Sequence, residues 1–369
     1  MPLLFAATLR TAQILSVAQL LLANTNASAT FADILLDFLV GHLEDLKYLR
    51  SEDASETGVT EDALERCSSE EEEDCCEVVA SPQRKASVVL RLFKIIFGSV
   101  TLFEGNETAL RGRLRGLITD SLRLASACER PLGYFLFLRA LFRSLGTLSQ
   151  QSSQHSQSTN AGGSTSSEQK HHKLEKSHME VEAVLPATIR ALLRLRLRLE
   201  DSPRCASLLT ELCLTVPARL DHLVPHVPLL LGPLAHALRQ PEWDLASLAL
   251  RTLEHYLDSL GAAKLKALFS PTPDTWPSIL DGVYSHLRPA PYPYGTLALR
   301  ILGKLGGNNR APFAEDLPCP STATANATDS APLEDFEDEH SDASLQLVLE
   351  WRRPAHVPHT RRQDLAQAF

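Results

Sequence analysis

Apolar residues recur three and four positions apart through most of this chain. Leu245, Leu248, Ala249, Thr252, Leu253, Tyr256, Leu257 and Leu260 line one face of a helix, and a face so continuously apolar needs neighbours of the same kind. Residues 217–239 supply one such run before it and residues 275–305 another after it. Upstream, residues 2–23 and 30–50 each predict a helix, the second striped by Phe31, Ile34, Leu35, Phe38, Leu39 and Leu46. The pattern resumes at Lys85 with Val88, Val89, Leu92, Phe93, Ile95, Ile96 and Phe97. It turns at Glu104-Gly105-Asn106 and continues over residues 110–128. Pro131 then opens a helix where a missing N–H costs nothing, and Gly146 lies near its expected end. Within it, Tyr134, Phe135, Phe137, Leu138, Leu141, Phe142 and Leu145 form the most aromatic surface of the chain, which belongs in a core.

Arg194-Leu195-Arg196-Leu197-Arg198-Leu199 alternates as a strand would. Its flanks and the Leu192-Leu193 pair favour a helix whose arginine stems lie over apolar neighbours. Residues 203–216, 217–239 and 241–260 follow with prolines at their boundaries and Gly261 just past the last. Roughly eleven helices in antiparallel pairs, spaced by about forty residues where no insertion intervenes, match a helical-pair repeat of the HEAT type. The expected fold is all-α, a solenoid of antiparallel helix pairs with two disordered low-complexity insertions.

Those insertions stand out by polarity. Residues 51–82 include Ser68-Ser69-Glu70-Glu71-Glu72-Glu73-Asp74 and cannot bury enough apolar area to offset an ordering entropy of about 1 to 2 kcal/mol per residue. Residues 149–178 are rich in Ser, Gln and His. The expected organisation is therefore an N-terminal helical repeat over 1–50, an acidic disordered insertion over 51–82 and helical repeats over 83–148. A disordered Ser/Gln/His-rich linker over 149–178, HEAT-type repeats over 179–310 and a mostly disordered tail over 311–369 complete it. In that tail only residues 343–351 recover a short apolar run.

The net charge of -9 argues against an overall nucleic-acid footprint. The acidic excess is concentrated in residues 52–77 and 334–342, while the helices hold most of the arginines. The 7 cysteines, odd in number and without ligand-like spacing, read as free thiols in a reducing compartment. Residues 1–22 are apolar, yet Arg10 falls inside the run and nothing basic precedes it, which is not the flank pattern of a secretory signal. The sequons at Asn26, Asn106 and Asn326 then carry little weight. No run is long and apolar enough to span a bilayer.

Candidate chemistry thins out on inspection. His171, His172 and His178, with Cys67, Cys75 and Cys76, are metal-ligating types, but no preorganised C-x-x-C pair accompanies them and a polar loop accounts for them. His222 and His226 stand four apart with Pro225 between them and no glutamate in the H-E-x-x-H position, so they read as surface histidines at a helix start. Gly303-Lys304-Leu305-Gly306-Gly307 lacks the order of a phosphate loop and precedes no helix. It reads instead as a helix end, with Gly306 or Gly307 left-handed and Lys304 favourably placed there. The acidic run after Ser68 and Ser69 reads as a solvated loop, the alternatives being a site for an acidophilic kinase or a contact for a basic partner. No serine occupies a nucleophile elbow. No catalytic, cofactor-binding or metal residue is assigned.

Five strings occur in an order that carries a resemblance: Arg91-Leu92-Phe93-Lys94-Ile95-Ile96-Phe97-Gly98-Ser99-Val100, the run from Pro131 through Gly133-Tyr134-Phe135 to Gly146, Glu211-Leu212-Cys213-Leu214-Thr215-Val216-Pro217-Ala218-Arg219-Leu220, Leu250-Arg251-Thr252-Leu253-Glu254, and Arg300-Ile301-Leu302-Gly303-Lys304-Leu305-Gly306-Gly307. Together they resemble the HEAT-repeat region of the TRRAP (transformation/transcription domain-associated protein) family and its fungal counterparts. The resemblance implies a segment of a very large phosphatidylinositol-3-kinase-related pseudokinase. It also implies a non-catalytic nuclear scaffold of SAGA-like histone acetyltransferase complexes that receives transcription activators. Its expected partners are activators and acetyltransferase-complex subunits, with no cofactor, no direct nucleic-acid contact, no membrane and no small-molecule substrate. The alternative is the regulatory helical arm of an active kinase of the same superfamily. The two insertions and the residues after Arg310 depart from the family pattern.

Overall fold

The computed structural model describes residues 1–49, 81–155, 166–269, 275–287 and 294–306, and every regular element among them is helical. Contacts divide the chain into two units, Met1–His226 and Val227–Phe369.

The first unit opens with α1 (Pro2–Arg10), α2 (Leu15–Leu22) and α3 (Ser28–Val40), followed by a 3-10 turn at Leu43–Tyr48. It continues with α4 (Pro82–Ser99), α5 (Glu104–Ala127), α6 (Leu132–His155), α7 (Ser166–Arg198), α8 (Pro203–Leu214) and the single turn α9 (Leu220–Leu223). Local chemistry sets several starts. The Ser81 side chain accepts from the Arg84 amide at the head of α4, and Pro82 and Pro203 occupy first-turn positions whose N–H groups have no helical acceptor.

Each helix from α3 to α6 packs on the helix two further along, and neighbours in sequence pack as well except α4 with α5, so α3, α5 and α7 form one layer and α4, α6 and α8 the other. Helices within a layer run parallel, because partners along their length keep a nearly constant sequence separation. Ala29 with Gly105 and Asp37 with Arg113 both lie 76 residues apart between α3 and α5, and Phe97 with Ser144 lies 47 apart between α4 and α6. The first separation exceeds the second by nearly the length of the 51–82 insertion, and the underlying period agrees with HEAT-type pairs of about 40 to 47 residues. Within the second layer, Phe137 of α6 meets Phe93 of α4 edge-on at 4.7 Å and Phe97 at 5.5 Å between ring centres, and all three rings are buried.

The second unit contains α10 (Val227–Arg239), α11 (Trp243–Ser259), α12 (Ala262–Phe269), α13 (Thr275–Ser285) and α14 (Tyr294–Gly306). Here α10 pairs with α11 and α13 with α14, while α13 stacks on α10 and α14 on α11. Gly282 of α13 permits that approach, since a Cβ there would sit 2.7 Å from the Leu238 Cβ. Just past α13, the buried His286 donates from Nε2 to the Leu238 carbonyl at 3.0 Å, taking up an acceptor near the end of α10.

Several expected helices prove segmented. Residues 2–23 break at Thr11, where the Arg84 guanidinium bonds to the Arg10 carbonyl at 3.2 Å. Residues 30–50 end their α-helix at Val40. A 3-10 turn replaces the remainder, held by Asp45, which bonds His42 at 2.9 Å and Lys85 at 3.0 Å. The run 217–239 is interrupted because Pro225 has no amide to continue a helix, and residues 224–226 form a 3-10 turn. Helix α6 passes Gly146 and reaches His155, and α7 begins at Ser166, so helix occupies more of 149–178 than its composition predicts; Gln, Glu and Lys have helix propensities close to alanine's. The alternating Arg194 to Leu199 stretch is the end of α7, with Leu195 buried and Leu197 exposed. The acidic run 68–76, the Cys67 group and the tail 311–369 lie outside the described residues, as do the side chains of His171, His172 and His178.

Candidate interaction surface

The charged side chains that tie the first unit together run mostly along its layers. Arg113 of α5 reaches Asp33 and Asp37 of α3, and Arg115 reaches Glu180 of α7 at 3.3 Å. Arg198 donates to the Ala125 carbonyl at 3.0 Å and to that of Ser126, so the end of α7 caps the end of α5. Glu182 of α7, largely buried, receives Arg219 at 2.9 Å and lies 3.4 Å from His222 Nε2. Burial alone would raise the Glu182 carboxyl, but the hydrogen bond and charge of Arg219, with His222, hold it below its usual value.

The outward face of the α4–α6–α8 layer has a different balance. Burial on α4 falls on Val88, Val89, Leu92, Phe93, Ile96 and Phe97, which leaves Arg91 half-buried and Lys94 exposed on the opposite side. On α6 the same periodicity turns Arg139 and Arg143 outward. Both guanidiniums converge on Glu211 of α8, at 2.8 Å and 3.0 Å from the same carboxylate oxygen. Arg91 and Lys94 form no hydrogen bond or ion pair among the described residues. Desolvation lowers the Arg91 pKa, as it does for a cation drawn from water without a counter-charge.

Other sequence motifs acquire structural roles. Lys304 reaches Glu254 at 2.8 Å and Asp258 at 2.7 Å on α11, and those hydrogen bonds raise its pKa. A nucleotide phosphate would have to displace both carboxylates. Helix α14 ends at Gly306; the conformation of Gly307 lies outside the described residues. His222 serves Glu182, and no cluster of metal-ligating side chains occurs among the described residues. Asn106 is buried and donates from Nδ2 to the Ser99 carbonyl at 3.2 Å and the Leu22 carbonyl at 3.4 Å, so that sequon's amide joins helix ends. Cys128, Cys205 and Cys213 are free thiols, and burial pushes Cys213 up to about 12. No described helix is long and apolar enough to cross a membrane.

Parallel layers built from helix pairs, with successive pairs stacked in register, define a HEAT-type α-solenoid. A profile of the Tra1 HEAT repeat central region matches residues 1–156 and 172–290. The chain is 32% identical over 313 residues to the SAGA complex/NuA4 acetyltransferase complex subunit TRA1 of Saccharomyces cerevisiae, covering 84% of this chain and 7% of that protein. It is 32% identical over 335 residues to the human transformation/transcription domain-associated protein, covering 90% of this chain and 7% of that one. The transcription-associated protein 1 of Drosophila melanogaster is 32% identical over 300 residues, covering 81% and 6%. The chain belongs to the Tra1/TRRAP family. It spans about a fifteenth of the length of these relatives, and the matched region is repeat scaffold rather than a catalytic domain.

Proposed function

We propose that this chain is a scaffold segment of a nuclear transcription-coactivator assembly of the SAGA or NuA4 acetyltransferase kind, and that the assembly receives transcription activators. The supporting observation is the match of nearly the whole helical part to the central repeats of relatives named as subunits of those complexes. The physical contribution is area. Stacked helix pairs present long ridges and grooves that bind extended or helical segments without a reaction centre.

The test is affinity purification of the endogenous protein, with blotting for an acetyltransferase catalytic subunit and immunofluorescence of the same cells. The expected result is co-purification of the acetyltransferase and nuclear staining. Recovery of the chain free of acetyltransferase subunits overturns the reading.

A further inference from the structure

We infer that Ser81 is a phosphorylation site for a proline-directed serine/threonine kinase, and that its phosphate draws the Arg84 guanidinium away from α1. The inference does not depend on the scaffold reading. In the reaction the Ser81 Oγ attacks the γ-phosphorus of ATP, its proton passes to the kinase's base, and the bond to the β-phosphate oxygen breaks to release ADP.

The motif carries it. Serine or threonine precedes proline at Ser81, Ser202, Ser270 and Thr272, and only at Ser81 does a basic residue, Arg84, stand three positions on. A proline has no N–H, so it follows the acceptor serine only in kinases whose adjoining pocket offers that position no hydrogen-bond acceptor, and a cation three residues on is the next feature such kinases read. Presentation agrees with the motif. Ser81 and Pro82 are exposed, and the Ser81 backbone, at φ -52° and ψ 144°, is extended as a residue before proline has to be, the conformation a kinase cleft takes up. The residues that follow lie in the first turn of α4, whose amides have no helical acceptors, so opening that turn breaks few bonds. Ser202 is half-buried and has Cys205 at the corresponding place. Ser87 follows Arg84-Lys85, the pattern of a kinase that reads basic residues ahead of its serine, but it is half-buried inside α4, where the backbone is committed to helix.

The surroundings supply partners for the phosphate. The Ser81 Oγ already accepts from the Arg84 amide at 3.3 Å, so a dianion there meets the positive end of the α4 dipole with two cations in the same turn. Lys85 is held by Asp45 at 3.0 Å, whereas Arg84 donates at 3.2 Å to the Arg10 carbonyl at the end of α1. A phosphate is a stronger acceptor than a carbonyl, and the guanidinium's move to it leaves that end of α1 uncapped.

The test incubates the full chain with ATP and a cyclin-dependent kinase, with a synthetic Ser-Pro substrate peptide in the same tube, and locates phosphate by mass spectrometry. Ser81 is expected to be filled first, at a rate about tenfold lower in Arg84→Gln, the factor one charge-assisted contact supplies. Phosphate on Ser202, Ser270 or Thr272 ahead of Ser81 overturns the proposal. So does an unmodified Ser81 beside a modified peptide, or an undiminished rate in Arg84→Gln. Hydrogen exchange then reads the move of Arg84. Amides of residues 9–11 are expected to exchange about threefold faster in the phosphorylated chain, and equally so in unmodified Arg84→Gln, a share typical of one partly exposed contact. Unchanged exchange there in the phosphorylated chain, with faster exchange in Arg84→Gln, overturns the transfer of Arg84 to the phosphate.

Discussion

Gly133, at the head of α6, lies against the backbone of Leu46 so closely that a β-carbon would collide with the Leu46 carbonyl and stand 3.2 Å from the Leu49 Cβ. The glycine serves close approach of two backbones, here a helix start and a 3-10 turn. Gly133→Ala is expected to destabilise the first unit by about 1 to 3 kcal/mol, the usual cost of overpacking. Gly112 of α5 is exposed with open space at its Cβ position, so Gly112→Ala is expected to stabilise by about 0.5 to 1 kcal/mol through helix propensity. Urea melts of the two variants should move in opposite directions; a parallel shift would mean that the contact at Leu46 is not made.

The aromatic contact of Phe137 with Phe93 and Phe97 fixes the spacing of α4 and α6. Truncating it leaves a cavity that the neighbouring rings cannot fill. Phe137→Ala is expected to cost about 3 to 5 kcal/mol, read from the shift of the thermal midpoint, whereas Phe137→Leu should recover most of the loss.

Glu182 titrates below its usual 4.5 because Arg219 and His222 face its carboxylate. A depressed folded-state value means that the tie stabilises fully above the unfolded value and is lost as pH falls through the lower folded value. Wild type is therefore expected to melt above Glu182→Gln at neutral pH by an amount worth about 1 kcal/mol, with the gap closing as the solution is acidified below 4.5. A gap independent of pH would assign the difference to packing.

Composition also predicts where a protease acts. Residues 51–82 and the part of 149–178 between α6 and α7 are polar, acidic or low in complexity, and limited digestion with a protease of broad specificity, such as proteinase K, should cut there first. Initial cleavage inside α4 or α5 would contradict that expectation.

Helix content was legible in the sequence wherever one face is continuously apolar, as in α4, α6 and α11, because burial of that face decides the conformation. The breaks were less legible, since distant residues set them. Arg84 removes the Arg10 carbonyl from α1, and Gly133 admits the turn at Leu46, and neither partner is near in sequence. The proline at 225 announced its own interruption, and the expected helix passed over it. The basic face was half visible: Arg91, Lys94, Arg139 and Arg143 stand opposite apolar stripes at spacings of three and four. The carboxylate shared by Arg139 and Arg143 was not visible, because Glu211 lies 72 and 68 residues from those two arginines and the low-complexity stretch hides the repeat period between them.

The parallel stacking within each layer makes its ion pairs act as registration marks. Residues added inside a helix rotate everything beyond them by about 100° each and set arginine against leucine. Residues added in a turn change only the count between marks. Arg113 still meets Asp37 across 76 residues, and Lys304 of the second unit meets Asp258 across 46. Such a stack takes up changes in chain length at its rims, and its charge pairs keep the repeats in phase.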